Sequence, residues 1–296
     1  MTIPAWADLA DAKAYGAWRA QKLAHYPTDA NALVVDVQDL AAPNAEELQR
    51  LRSLCAAANM AIYRTANTSD DEMRDRRALA AFGARLGLTA MEDHRSREGD
   101  GIVRIAVSEE AARNLYIPYT NRPIAWHTDG YYNFHGANCA VQSMLLHCKS
   151  DAEGGENGLL DQEILYIRLR DEDPALIAAL MADDAMTIPA NREPDGSERP
   201  ANVGPVFYFG ATGRLGMRYT ARKRNIAWSQ RSDVQRAAEA IARILKDEPL
   251  VLRLKLRPGW GLVCNNVLHD RSGFSNNEGG GRLLYRIRYR DRVASA

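Results

Sequence analysis

The chain has no surplus of charge of either sign: 38 Lys and Arg stand against 38 Asp and Glu in 296 residues. A neutral chain has no global field to draw it to nucleic acid or to an anionic membrane, so any charged partner must be held locally. Long apolar runs are also missing. No window approaches the roughly 18 uninterrupted apolar residues that span a bilayer. The opening residues, MTIPAWADLADAK, place Asp8 and Asp11 where a signal peptide would have basic and then apolar residues. A soluble, cytoplasmic protein without a membrane or nucleic-acid partner is the expectation. The four cysteines, Cys55, Cys139, Cys148 and Cys264, form no CxxC pair, which argues against a disulfide framework and a structural zinc knot and for reduced, largely buried thiols. Internal repeats and low-complexity tracts are absent.

An apolar fraction of 46% is ordinary for a chain that buries a core. Single domains usually hold about 100 to 200 residues, but β barrels and sandwiches reach about 250, so one domain over 1–296 is expected, with a helical N-terminal elaboration at about 1–90. Helix starts are read from capping-box pairs, Asn44 with Glu47, Ser69 with Glu72 and Ser232 with Gln235, each followed by helical apolar spacing. A further helix is expected to start at Pro174, where the missing N–H costs nothing. Most of the remainder reads as short β-rich runs at 32–37, 60–64, 102–107, 138–148, 205–210, 250–257, 260–267 and 282–290. Runs separated by turns, without regularly alternating helices, predict a mainly β fold with inserted helices, an antiparallel sandwich or barrel. The polar, Pro- and Gly-bearing stretch 190–204 reads as a long loop.

Three pieces of sequence carry chemistry. Trp126-His127-Thr128-Asp129-Gly130 sets a His and an Asp two apart, and in an extended chain such residues share a face about 7 Å apart at Cα. His269, in CNNVLHDRSGF, lies 142 residues after His127. Two imidazoles and one carboxylate on one face of a metal leave the opposite positions open, as a non-haem Fe(II) oxygenase requires for a cosubstrate and dioxygen. The run Arg282 to Arg290 alternates Arg with apolar or aromatic residues, the period of a strand with two unlike faces. Arg282, thirteen residues beyond His269, can bring a planar guanidinium to a carboxylate at the bottom of a pocket.

With these residues the chain resembles the taurine dioxygenase-like family of Fe(II)/2-oxoglutarate-dependent dioxygenases, which share the clavaminate synthase-like fold. The resemblance rests on WHTDG, on GGENGLLD at 154–161 for the family's Gly-Gly-x-Thr-x-x-x-Asp segment, on NNVLHDRSGF and on GRLLYR for an Arg-x-x-x-Arg motif, in that order across 126 to 290. It implies a double-stranded β-helix, or jelly roll. It further implies Fe(II) held by His127, Asp129 and His269, and 2-oxoglutarate anchored through its distal carboxylate by Arg282. Asn157 stands where the family has a Thr that contacts the cosubstrate, a departure, although an amide can also donate. The implied reaction consumes O2 and 2-oxoglutarate, releases succinate and CO2, and hydroxylates a small-molecule substrate. Retention of Asp129 argues against halogenation.

Arg286, one step along the strand face from Arg282, and Tyr131, directly after the metal motif, are the candidate substrate contacts. Inward Arg286 and Arg288 favour a small polar or anionic metabolite such as an amino acid, carboxylate or sulfonate; stacked Tyr131 and Tyr132 would suit an amine. His25, His94, His135 and His147 read as surface or packing residues, and Arg222-Lys223-Arg224 as a solvated loop. Segments 95–119 and 190–204 are expected to cover the pocket and order on substrate binding. A homo-oligomer is compatible with the sequence. The alternative function is a catalytically silent 2-oxoglutarate sensor or interaction protein on the same fold, which would be expected to lose a ligand; none is lost. A metal-dependent hydrolase on a cupin-like barrel would need no Arg-x-x-x-Arg strand.

Overall fold

The computed structural model describes residues 3–66, 69–92, 99–108, 116–192, 196–210, 212–222, 226–276 and 281–293. Ten strands form the two principal sheets: β1 Val34–Asp36, β2 Met60–Arg64, β3 Val103–Ala106, β4 Ile124–His127, β5 Ser143–Ser150, β6 Asn157–Leu160, β7 Leu252–Leu254, β8 Trp260–Cys264, β9 Leu268–Arg271 and β10 Leu283–Tyr289. The six-stranded sheet runs β1-β2-β8-β5-β10-β3 and the four-stranded sheet β7-β6-β9-β4. All their pairings are antiparallel except β1 with β2. This mainly β double-sheet architecture with inserted helices is the jelly roll expected above.

Alternation along the strands builds two cores on opposite faces of the large sheet. Met60, Ile62, Met144, Leu146, Leu262, Cys264 and Leu284 belong to the larger core, which also takes in Leu159, Leu160 and Leu268 of the small sheet. Ala61, Tyr63, Leu145, Val263, Tyr285, Ile287 and Tyr289 turn the other way, against Leu48, Leu51, Leu79 and Phe82. Those four come from helices α2 Ala45–Ala58 and α3 Glu72–Arg85. In β10 the odd positions therefore cover the outer helices and the even positions, Arg286 and Arg288 among them, turn inward. The N-terminal 90 residues supply α1 Ala12–His25, α2 and α3, but also β1 and β2 of the main sheet. No described helix is long and apolar enough to cross a membrane.

Helix ends show where pattern reading succeeds. The Asn44–Glu47 capping box is present, with reciprocal bonds, and α5 Pro174–Leu180 starts at its proline. The other two boxes are corrected. Asp71, not Ser69, caps α3 by accepting from the Met73 and Arg74 N–H groups, and Ser69 Oγ accepts from Asp71 N. Ser232 is already the first residue of α6 Ser232–Asp247, and Gln235 reaches back to Ser229 O. Helix α4 Gln162–Glu172 gave no sequence signal because it is buried almost all round, Ile164, Leu165, Tyr166, Ile167 and Leu169 included, which erases the one-sided stripe. The expected loop at 190–204 is instead partly β. Asn191–Arg192 pairs with Glu198–Arg199, and Asn202–Gly204 pairs with Met186–Ile188; strands so short carry no periodicity. Residues 95–98, 109–115 and 193–195 of the expected covering segments lie outside the described residues, as do His94, Lys223 and Arg224.

A buried ionic knot ties the N-terminal helix to this frame. Lys22 Nζ on α1 lies 2.6 Å from both Asp161 Oδ2 and Glu163 Oε2 and donates to Ala57 O at 2.8 Å. Asp161 also caps α4. Burial disfavours the charged amine, but the two carboxylates outweigh it and raise the Lys22 pKa. Replacing one partner of a buried pair is far costlier than replacing both, because it leaves an uncompensated charge. Lys22→Met is therefore expected to lower unfolding free energy by about 3 to 5 kcal/mol, read as the shift of the urea midpoint at constant slope. A loss under about 1 kcal/mol, the scale of an exposed pair, would show that the knot contributes nothing.

Candidate metal centre

The ladder between β4 and β9 sets His127 directly opposite His269, and the two rings lie with centroids 4.1 Å apart. Each imidazole spends Nδ1 on the carbonyl two residues before it: His127 on Ala125 O at 3.0 Å and His269 on Val267 O at 2.9 Å. A carbonyl only accepts, so both Nδ1 atoms carry the hydrogen and both Nε2 lone pairs are left for a ligand. Asp129 completes the group, and one ligand-capable atom from each of the three residues lies within 4.8 Å of the others. The route differs from an extended His-x-Asp run. Strand β4 ends at His127, and Asp129 reaches the cluster from the following turn.

That turn is held by residues to which the sequence reading gave no role. Asn266, at φ 53°, accepts from Asp129 N at 2.8 Å and donates to Asp129 O at 3.0 Å and Val141 O at 2.8 Å. Gly130 has φ 72°, and a Cβ there would stand 2.5 Å from Val141 Cγ2, so neither the backbone nor the space admits a side chain. Arg218, 1% exposed, donates to Tyr131 O, Met186 O, Gly204 O and Asn202 O. It thereby fastens the insert around 202–204 to the chain just after the metal motif. The only advance signal was the Asn265-Asn266 pair interrupting a β-rich run: the expected strand 260–267 breaks there into β8 and β9.

Electrostatics prepare the group for a cation. Asp129 Oδ1 accepts from Arg286 Nη1 at 3.2 Å and lies 3.7 Å from Arg288 Nη1, while the buried Oδ2 has no hydrogen-bond partner among the described residues. Burial favours the neutral acid, but Arg286 and Arg288 outweigh it and hold the carboxyl well below the ordinary range. Arg288 is itself ion-paired with Glu92 and donates to Tyr132 OH. Burial, and after it the neighbouring His269, pushes His127 down to about 3. The ring is therefore neutral and able to donate its lone pair. The Tyr131 ring stands edge-on to His127 at 6.5 Å between centroids.

Arg282 lies 7% exposed just before β10. Its guanidinium rests 5.2 Å from the Phe274 ring centroid and makes no hydrogen bond or ion pair among the described residues. Gly155 gives it room, since a Cβ there would stand 3.2 Å from Arg282 Nε. Asn157 Nδ2 donates to Asp270 O at 3.3 Å, and its Oδ1 is buried without a partner among the described residues. Arg271, also unassigned from sequence, is 5% exposed. Burial and then Arg282 lower its pKa to about 9. A cavity of about 370 Å³, lined by Ser69, Arg74, Asp75, His147 and Lys149 among others, lies beneath α3. It includes none of the metal-centre residues, and its Lys149 is already paired with Asp75.

Of the other histidines, His25 and His135 are exposed. His147 is buried, its Nδ1 3.1 Å from Tyr63 OH, and burial followed by Lys149 pushes its pKa down to about 4. A histidine titrates near 6.5 when unfolded. Between those values the unfolded chain binds the proton that the folded chain refuses. Stability thus falls as pH drops from about 6.5 towards 4, by up to about 1.4 kcal/mol per pH unit. Urea midpoints at pH 7, 6 and 5 should show this loss, and His147→Asn should reduce it, leaving the share of His127, which is depressed in the same direction; an equal slope in the variant would refute the assignment.

Residues 21–288 match the family described as Taurine catabolism dioxygenase TauD, TfdA family. Among solved structures, the non-heme iron oxygenase OrfP in complex with Fe, succinate and (3S)-hydroxy-L-arginine superposes with TM-score 0.64 at 17% identity, covering 87% of this chain and 83% of that one. An asparagine oxygenase in complex with Fe(II), 2S,3S-3-hydroxyasparagine and succinate gives TM-score 0.61 at 13% identity, over 87% and 93%. PvcB from Pseudomonas aeruginosa gives 0.57 at 14%, over 86% and 84%. At such identities the superpositions show the shared fold, and the family match, which spans most of the sequence, shows the lineage: the chain belongs to the TauD/TfdA dioxygenase family.

Proposed function

We propose that His127, Asp129 and His269 hold the Fe(II) of this dioxygenase, that Arg282 binds the distal carboxylate of 2-oxoglutarate, and that the prime substrate is a small polar or anionic metabolite. The observation that carries this reading is the state of the donor atoms. Both Nδ1 positions are bonded to backbone carbonyls, while Asp129 Oδ2 is buried and unpartnered. A buried carboxylate oxygen without a partner is a rare and costly arrangement unless a cation completes it, so the residues fit the metal. Two imidazoles and a carboxylate are also the donor set that leaves open positions on non-haem Fe(II). Bound there, Fe(II) with 2-oxoglutarate supplies the activation of O2 that couples decarboxylation of the cosubstrate to succinate and CO2 with hydroxylation of a C–H bond.

The chain's own residues supply binding, orientation and charge. Asn266 fixes the backbone of Asp129, and the carbonyls of Ala125 and Val267 fix the imidazole tautomers. Arg286 keeps Asp129 ionised and, from the same inward face, offers a cation to an anionic substrate; its Nε is buried without a partner. Tyr131 walls the His127 side. The hydroxyasparagine and hydroxyarginine held in complex by two structural relatives support an amino acid within the substrate class. Asn157 contributes to the cosubstrate side of the site.

Succinate formed from 2-oxoglutarate under air, with and without Fe(II), tests the reading directly. Asp129→Ala should abolish both metal-dependent succinate formation and high-affinity iron binding, and full activity in that variant would overturn the ligand assignment. Arg282→Ala is expected to cost about 2 to 5 kcal/mol of 2-oxoglutarate binding, roughly 30- to 5,000-fold. Arg286→Ala should impair use of the prime substrate and, because Arg286 also holds Asp129 ionised, weaken iron binding, while 2-oxoglutarate affinity of the metal-loaded protein stays within a few-fold of the parent.

A further inference from the structure

Two guanidiniums, not one, converge on the Phe274 ring. Arg271 Cζ lies 4.8 Å and Arg282 Cζ 5.2 Å from its centroid. Both arginines are at least nine-tenths buried by exposed surface, at 5% and 7%, and neither has a carboxylate partner among the described residues. Arg271 spends only Nη2, on Thr120 O at 2.8 Å and Arg122 O at 2.5 Å. Its Nε is buried with no hydrogen bond among the described residues. Across the ladder the residue directly opposite Arg271 is Asn157, whose buried Oδ1 is likewise unpartnered. Arg271 also lies two residues after His269 on β9, on the His269 side of the sheet.

Like charges placed together out of water repel, and each loses its hydration; such pairs persist where an anion completes them. A planar fork is suited to that role because it matches the two oxygens of a carboxylate. We propose that Arg271 is a second cosubstrate-binding residue, gripping the distal carboxylate of 2-oxoglutarate jointly with Arg282. The Nη2 contacts to the 120–122 segment hold the fork in place, and the open Nε edge faces the anion. This inference rests on the proposed function above and adds a residue to its site. It also gives the site a preference for a charged distal end over a neutral one of the same length.

The test is a binding measurement on the full chain loaded with Mn(II) under nitrogen, so that no turnover occurs. Calorimetric titration with 2-oxoglutarate is compared with 2-oxobutanoate, which keeps the C1 carboxylate and keto group and lacks the distal carboxylate. Arg271→Gln should weaken 2-oxoglutarate about 30-fold or more, with Mn(II) and 2-oxobutanoate affinities changed less than twofold. A 2-oxoglutarate affinity within twofold of the parent, or an equal loss for both ligands, would overturn the proposal and leave Arg271 as a tether for 120–122. Should Arg271→Gln lose its cooperative thermal transition, Arg271→Lys decides: it keeps the charge and loses the fork. A selective loss of at least fivefold then supports the proposal, and no loss overturns it. If the parent protein binds Mn(II) but no 2-oxoglutarate, the underlying function fails; if Arg282→Gln is selectively impaired and Arg271→Gln is not, only the present inference fails.

Discussion

A carboxylate buried beside two imidazoles has to remain ionised, and much of the architecture around the centre follows from that demand. Burial alone drives Asp129 towards its neutral acid, and two guanidiniums from one strand reverse the balance. Bringing Arg286 and Arg288 inward creates a new demand, because together they outnumber the single carboxylate. Glu92 answers it through its ion pair with Arg288, and Glu92 N is anchored to Arg288 O at 2.8 Å. The result is a chain of alternating charges, Asp129 to Arg288 to Glu92, in which each buried ion has an opposite neighbour. Asp129 Oδ2, with no partner among the described residues, is left for an added cation beside the two imidazole Nε2 atoms.

Position is imposed by the same economy of means. The break between β8 and β9 places two asparagines side by side, and they face different tasks. Asn266 grips the backbone of Asp129. Asn265 donates to Asn59 Oδ1 and accepts from Val293 N, while Asn59 donates to Asp161. Asp161 is the carboxylate shared with Lys22. A two-residue interruption thus joins the metal turn to the ionic knot that docks the N-terminal helix. Distortion at the knot has a covalent and hydrogen-bonded route to Asp129, so packing of α1 and geometry of the centre are physically connected.

The parts that were legible in the sequence are those whose physics is local or periodic. Alternation in 282–290 gave the strand and its two faces, and the His-x-Asp pair with a distant His gave a donor set that the structure does bring together. Resemblance then supplied the order of the motifs. What stayed hidden depended on contacts distant in sequence. Asn266 and Arg218 are ordinary polar residues until their backbone partners are known, and Arg271 sits inside a quoted motif without a periodic or spacing cue of its own. Helix α4 was missed because complete burial removes amphipathicity, and the capping pairs at Ser69 and Ser232 failed because a nearby Asp or a preceding residue already occupied the boundary.

The inward face of the β10 segment divides its labour by distance along the strand. Arg286 and Arg288 reach Asp129, but a strand rises about 3.4 Å per residue, which places Arg282 about 13 Å from Arg286 at Cα. Arg282 is thereby carried out of range of the same carboxylate and into the company of Arg271 and Phe274. Three arginines on one face would ordinarily be a liability. Here Arg286 and Arg288 each have a carboxylate neighbour, and Arg282 is left with a buried fork uncommitted among the described residues. A ligand that has a chelating end and a carboxylate at its other end matches that interval along the strand, whereas a monoacid cannot use both ends of it. Under the proposed function the strand acts as a ruler, its spacing setting the length and the terminal charge of the cosubstrate.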